Sequence, residues 1–165
     1  MSTAHPAFFD DQPLTPYRYT LCREWGLGPS CCWIMLSPST ATDATDDPTI
    51  RRCIRFCAGW GYGRLVVVNL FALRSTNPAE LAQHADPVGA DNDQAIVTAA
   101  RQAGAVVCAW GAHSSAVSRA RTVVALLHGM DLRCLGTTKH GQPRHPLYVK
   151  GSTTLVSFRE LETVR

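Results

Sequence analysis

Four short polar clusters stand at or just after apolar runs, and they hold the side chains best suited to chemistry. The run CCWIML at 31–36 is followed by Ser37, Pro38, Ser39 and Thr40. The run LVVVNL at 65–70 contains Asn69 and leads into Phe71 and Arg74. The run AVVCAW at 105–110 ends in Trp110 and is followed by Gly111 and His113. After LRCL at 132–135 come Thr137, Thr138, Lys139, His140, Arg144 and His145. An amide, hydroxyls, an aromatic ring, imidazoles and cations together suit a polar ligand with a phosphate, such as a nucleotide.

Asn69 interrupts an otherwise apolar strand pattern. A buried amide left without hydrogen bonds costs about 1–3 kcal/mol. Asn69 therefore either bonds the backbone of a neighbouring loop or reads an amide-like edge of a nucleobase in a bidentate pair. His145, between Arg144 and Pro146, is either structural or, with Arg144, stabilises an anion. Asp46 and Asp47 are candidate general bases. Asp47 precedes Pro48, so it also reads as a helix N-cap; Asp43 reads as solvated. Gly111 and His113 stand before a helix whose free N–H groups suit an anion, although every helix start offers the same. Arg51, Arg52 and Arg55 read as a solvated helix face or a phosphate contact. No dinucleotide, Walker, nucleophile-elbow or zinc-protease motif is present, and no C-x-x-C occurs, so no cofactor or metal site is expected.

These clusters share one location only if the apolar runs are strands of one sheet. Residues 17–23 alternate and read as a strand with one wet face. A turn at 26–29 leads to the buried strand 31–36, and the pair reads as an N-terminal hairpin. Asp47-Pro48 opens a helix whose Ile50, Cys53, Ile54 and Cys57 share a face. Buried strands are predicted at 65–70, 105–110 and 132–135, with a last short strand at 147–149. Helices are predicted after Asn77, over 91–103 and over 112–128. Doubly apolar strands alternating with helices argue for a mostly parallel sheet covered on both faces. In such sheets ligands sit beyond the carboxyl ends of the strands.

Bulk properties narrow the class. The 165 residues suit one domain, here 17–165 behind an arm at 1–16. The 45% apolar content excludes disorder, and 18% charge is low for a solvated helical bundle. A net charge of +3 permits a phosphate-bearing partner without demanding one. Seven cysteines form no framework and read as buried thiols in a reducing compartment. The start lacks signal-peptide character and no run is apolar enough to span a bilayer, so a soluble, cytoplasmic monomer without membrane contact is expected.

The segments IMLSPSTATDATDDPTIRRC, GWGYGRLVVVNLFALRSTNP, DNDQAI, VVCAWG and GTTKHGQPRHPLY resemble an uncharacterised bacterial and phage family, the domain of unknown function numbered 1643. More distantly, the motif order resembles the uracil-DNA glycosylase superfamily. Leu36 to Ser39 stands at its first loop, Val68-Asn69 at its base-reading pair, and Arg74 through Glu80 at its third motif. Trp110-Gly111 stands at the fourth, and His145-Pro146-Leu147 at the last.

That resemblance implies a three-layer α/β/α sandwich with a central four-stranded, mostly parallel sheet. It also implies hydrolysis of the N-glycosidic bond of a modified or deaminated nucleobase by base flipping. Asn69 would read the nucleobase, with Ser39, Thr40, Phe71, Trp110, Arg74 and Arg144 around it and Trp33 as a further aromatic wall. His145 would stabilise the departing nucleobase; Gly111, His113 and Lys139 would hold phosphate. Ser37 stands where the superfamily carries Asp or Asn, so activation of water falls to Asp46 or Asp47. Leu147 replaces the last motif's Ser. The implied partner is nucleic acid, DNA ahead of RNA. A non-catalytic nucleotide or nucleic-acid binding module and an enzyme on free modified nucleotides are the alternatives.

Overall fold

The computed structural model describes residues 16–42, 44–75 and 77–159. The arm expected at 1–16 lies outside them except for Pro16, as does Asp43. Six strands form one mixed sheet: β1 Leu21–Glu24, β2 Ser30–Met35, β3 Arg64–Asn69, β4 Ala105–Cys108, β5 Leu132–Cys134 and β6 Val156–Ser157. The order across it is β1-β3-β2-β4-β5-β6. The inner four strands are parallel, and β1 and β6 close the two rims antiparallel to β3 and β5. Four helices connect them: α1 Pro48–Gly59, α2 Pro78–Leu81, α3 Asn92–Gln102 and α4 Ala116–Leu126.

Alternation along the inner strands divides the core. Cys31, Trp33, Met35, Leu65, Val67 and Val107 pack with Ile50, Cys53, Phe56 and Cys57 of α1. Cys32, Ile34, Val68, Val106 and Cys108 pack with Leu81 of α2, Ile96 and Ala100 of α3, and Ala116, Ala120 and Val123 of α4. Trp33, fully buried, hydrogen-bonds through its indole N–H to the Cys57 sulfur at 3.1 Å and stacks on Trp60. It therefore belongs to the core under α1 and is not the ligand-facing wall expected of it. Six of the seven cysteines are buried, Cys22 is exposed, and all are free thiols.

Two elements depart from the sequence reading. The expected N-terminal hairpin does not form: β1 pairs with β3, with Leu21 opposite Val67, while β2 lies on the far side of β3. A strand apolar on both faces such as β2 takes parallel neighbours on either side, which leaves the half-wet β1 the outer edge. The expected strand at 147–149 is a 3-10 turn, Pro146–Tyr148. Proline removes a ladder donor there, the Leu147 N–H bonds the His145 ring, and the Tyr148 N–H bonds the His145 carbonyl at 3.0 Å. Helix α4 also begins four residues later than expected. Gly111 takes a φ of 78°, and the Ser115 N–H and hydroxyl both bond the His113 ring, making a local turn.

Strand β2 sits between β3 and β4: the chain passes from β2 to β3 on one side and then crosses back to β4 on the other, reversing its direction across the sheet. Such a reversal opens a crevice at the carboxyl ends of the strands. At the opposite end, a tight closure links the 26–29 turn to β3. The Gly63 N–H bonds the Pro29 carbonyl at 3.1 Å, and a Cβ on Gly63 would stand 2.6 Å from the carbonyl oxygens of Gly26 and Leu27. Gly26 itself has open space around its Cβ position. We expect Gly63→Ala to lower stability by about 1–3 kcal/mol, the range for forcing atoms into a filled site, and Gly26→Ala to leave it nearly unchanged. Chemical denaturation of both variants checks this, and equal stabilities would contradict the packing described.

Candidate functional site

Asn69 is the last residue of β3, opposite Met35 of β2, and is only 3% exposed. Its side-chain oxygen is buried and has no hydrogen-bond partner among the described residues. The first sequence alternative, a bond to a neighbouring loop, is thus not met for this oxygen. Asn69 as a residue borders a cavity of about 490 Å³, within the usual span of roughly 300–1,000 Å³ for small-molecule sites. The walls come from every element that ends there. Ser37 and Ser39 follow β2, Thr49 and Ile50 begin α1, Trp110 to His113 follow β4, and His145, Leu147 and Tyr148 belong to the 3-10 turn. A larger groove of about 880 Å³ runs between β1 and α3, past Tyr17, Tyr19, Arg64, Gln94 and Thr98. It contains none of the sequence-predicted residues and no imidazole or orphaned amide; the smaller cavity is the one that gathers them.

His145 caps the 3-10 turn, its Nδ1 accepting from the Leu147 N–H at 3.2 Å. Because Nδ1 accepts, a neutral ring carries its proton on Nε2, which becomes a donor. Burial pushes its pKa below the ordinary 6.5, against an opposing pull from the Asp47 charge. The turn is clamped onto α1 by Arg52, whose Nε donates to the Pro146 carbonyl at 3.3 Å and whose Nη2 donates to the Val149 carbonyl. The same guanidinium lies over the Phe56 ring, 5.3 Å from its centre.

Asp47 is the N-cap of α1, accepting from the Ile50 N–H at 2.8 Å. Its other oxygen accepts from the Ala41 N–H at 3.3 Å. Burial alone would raise its pKa. Hydrogen bonds from the Ser39 hydroxyl, Ile50 and Ala41, with the positive charge of Arg18, hold it below 3.8 instead. Asp47 does not itself line the cavity, yet Ser39 does and links the two. Asp46 is turned elsewhere: its carboxylate pairs with the Arg23 Nε at 2.7 Å, outside the cavity. As expected general bases, the first is held as a cap anion and the second is not brought to the site.

Other expected residues separate in the same way. Trp110 donates to the Gln142 side-chain oxygen at 2.9 Å and packs edge-on to Phe158, leaving only part of its ring on the cavity. Gly111 borders the cavity, but its N–H bonds the Pro143 carbonyl at 2.9 Å and is not open to a phosphate. The exposed His113 lies at the rim. Thr40, Phe71, Arg74, Lys139 and Arg144 lie outside. Phe71 is core, Thr40, Arg74 and Lys139 are surface residues, and the Arg144 Nε bonds the Thr137 carbonyl at 3.1 Å.

Of the charged and aromatic residues that line the cavity, two carry no signal in the sequence that points to a site. Arg18, 5% exposed, donates to the Ala41 carbonyl and lines the cavity. The alternation at 17–23 marked it as one face of a strand but could not show that this face looks inward. Tyr148, 81% exposed, stands with Leu147 at the rim, its ring centre 5.5 Å from that of His145. It adjoins the His-Pro-Leu motif, within the 147–149 run whose apolar pattern predicts a strand.

The chain belongs to the family described as protein of unknown function (DUF1643), whose model matches residues 18–147. No curated protein and no solved structure matches it. The matched stretch runs from Arg18 to Leu147 and takes in every cavity residue except Tyr148. Among the described residues no helix is long and apolar enough to cross a membrane, and no three His, Cys, Asp or Glu side chains group as metal ligands.

His145 and Asp47 both have folded-state pKa values below their ordinary ones. The unfolded chain therefore takes up each proton first, and stability falls with pH over two windows. The His145 contribution is full above 6.5 and declines below it; the Asp47 contribution declines below 3.8. An NMR titration of the His145 ring should give a midpoint under 6.5. Arg52→Ala, by freeing the turn and admitting water, should move that midpoint upward. A native midpoint at or above 6.5 would contradict the half-buried neutral imidazole.

Proposed function

We propose that the cavity binds a nucleobase and that the protein hydrolyses the N-glycosidic bond of a modified or deaminated nucleobase in DNA. The observation that carries this reading is the unpartnered, buried Asn69 oxygen sharing one cavity with the His145 imidazole. An amide supplies an acceptor beside a donor, the complement of a ring edge with adjacent N–H and carbonyl groups. A ligand N–H would satisfy the orphaned oxygen and recover about 1–3 kcal/mol of desolvation.

The reaction breaks the bond between C1′ and the nucleobase nitrogen, whose electron pair leaves with the nucleobase. Negative charge develops on the ring and is met by the Nε2–H of neutral His145. Positive charge develops on the sugar and is met by the ionised Asp47, which acts through its field because its low pKa makes it a poor proton acceptor. A water held by Ser37 and Ser39 forms the new C1′–O bond and releases its proton to solvent. The exposed Leu147 and Tyr148 form an apolar rim on which the bases beside an extruded nucleotide can rest. In this reading α1 on one face of the sheet and α3 and α4 on the other make the α/β/α sandwich of the uracil-DNA glycosylase superfamily.

A second reading, a non-catalytic module that binds nucleic acid or a nucleotide, is favoured by Ser37. Among the residues that line the cavity there is no carboxylate to activate water. Mass spectrometry of free bases released from chemically modified DNA separates the two. The first reading expects release, reduced about 100-fold or more by Asn69→Ala. Asp47→Asn, which keeps an N-cap acceptor while removing the charge, should reduce release without unfolding the protein. Salt-dependent binding of the same DNA with every base retained would support the binding module. Binding of mononucleotides alone would point to an enzyme on free nucleotides.

A further inference from the structure

The segment at 91–94, Asp-Asn-Asp-Gln, has no part in the cavity, yet it is tied to the residue on which the site depends. Asn92, at the start of α3, is fully buried. Its amide nitrogen donates to the backbone carbonyls of Asn69 at 2.9 Å and Leu70 at 3.1 Å. Arg119 of α4 donates through Nε to the same Leu70 carbonyl at 2.8 Å, and through Nη2 to Asp93 at 2.6 Å. Two helices thus send three N–H donors onto the two peptide groups that follow the Asn69 side chain.

We infer that Asn92 and Arg119, aligned by Asp93, are positioning residues that set the orientation of the Asn69 amide. The physical need is specific. Strand β3 ends at Asn69; the peptide that follows keeps its N–H on the Met35 carbonyl of β2 at 2.9 Å, but β1 pairs only as far as Val67, so the Asn69 carbonyl on that side has no strand partner. The plane sets the direction of the Asn69 Cα–Cβ bond, and a bidentate pairing tolerates little angular error. Arg119 suits this work because its planar fork reaches a carbonyl and a carboxylate at once, which a lysine ammonium on a flexible stem does not. The largely covered side chain of Arg119 and the half exposure of Asp93 make the pair a bridge from the surface inward. Asn92 holds its donors in place even though its own side-chain oxygen finds no hydrogen-bond partner among the described residues.

The inference rests on the nucleobase-reading role of Asn69, and its test is made first without any ligand. The side-chain amide resonances of Asn69, identified by their loss in Asn69→Ala, are followed by NMR in Arg119→Lys and Asp93→Asn. Both variants should shift or broaden this pair while His145 keeps its native titration midpoint. With DNA that releases a base, Arg119→Lys should raise KM about 10-fold or more, as expected for a misaligned recognition group, with a smaller change in kcat. An unmoved Asn69 pair in both variants, alongside a lower Tm, would assign the network to stability alone and overturn the inference. If Arg119→Lys fails to fold, Asp93→Asn alone decides, since its carboxylate is half exposed. A shifted Asn69 pair in a protein that releases no base keeps the positioning role and removes the hydrolytic reading.

Discussion

The side-chain oxygen of Asn69 is closed off from water at the end of β3 and meets no donor among the described residues. Folded proteins pair nearly all such atoms, because desolvation without a hydrogen bond is not repaid. The surrounding structure holds this exception in place. Three side-chain donors grip the carbonyls of residues 69 and 70, and the ladder continues past the strand with the Leu70 N–H on the Met35 carbonyl at 2.9 Å. These bonds fix the main chain from which the Asn69 amide projects.

Helix α1 organises the opposite wall. Its first turn supplies the Asp47 cap and, through Thr49 and Ile50, part of the cavity lining. One turn later Arg52 grips the 3-10 turn that bears His145. A single rigid element therefore positions a half-buried anion relative to a neutral imidazole. Ridges of Ile50, Cys53, Phe56 and Cys57 anchor that element to the sheet, so the electrostatics of the site are set by core packing. Arg18 adds a buried cation behind Asp47 and helps keep its carboxylate ionised.

Local signals agree with the structure where chain chemistry acts at short range. The Asp47-Pro48 and Asn77-Pro78 starts became capped helices, with the Asn77 side chain accepting from Ala79 at 3.0 Å. The four apolar runs became the four parallel strands, within two residues at their ends. Pairing was not legible in the same way. The short link at 26–29 suggested a hairpin, but strand partners depend on which faces the whole sheet must bury, and β1 was displaced to the rim. Expected site residues failed for a related reason. Lys139, Arg144 and Arg74 stand near strand ends in sequence, but a loop of several residues can carry a side chain away from the crevice. Arg18 and Tyr148 are not legible as cavity residues, because alternation and short apolar runs do not tell which direction faces inward.

By itself the sequence determined the alternating order of strands and helices, the caps, and the polar interruption at residue 69, since each follows from side-chain type at a fixed spacing. The tertiary structure alone decided that β2 lies between β3 and β4, and this reversal opens the crevice. It also decided which polar groups meet there: Ser37, Ser39, Asn69 and His145 converge, while Asp46 turns to Arg23 and Asp47 becomes a cap. Contacts of that kind join residues far apart in the chain, and they are fixed only when the complete set of apolar faces has been buried.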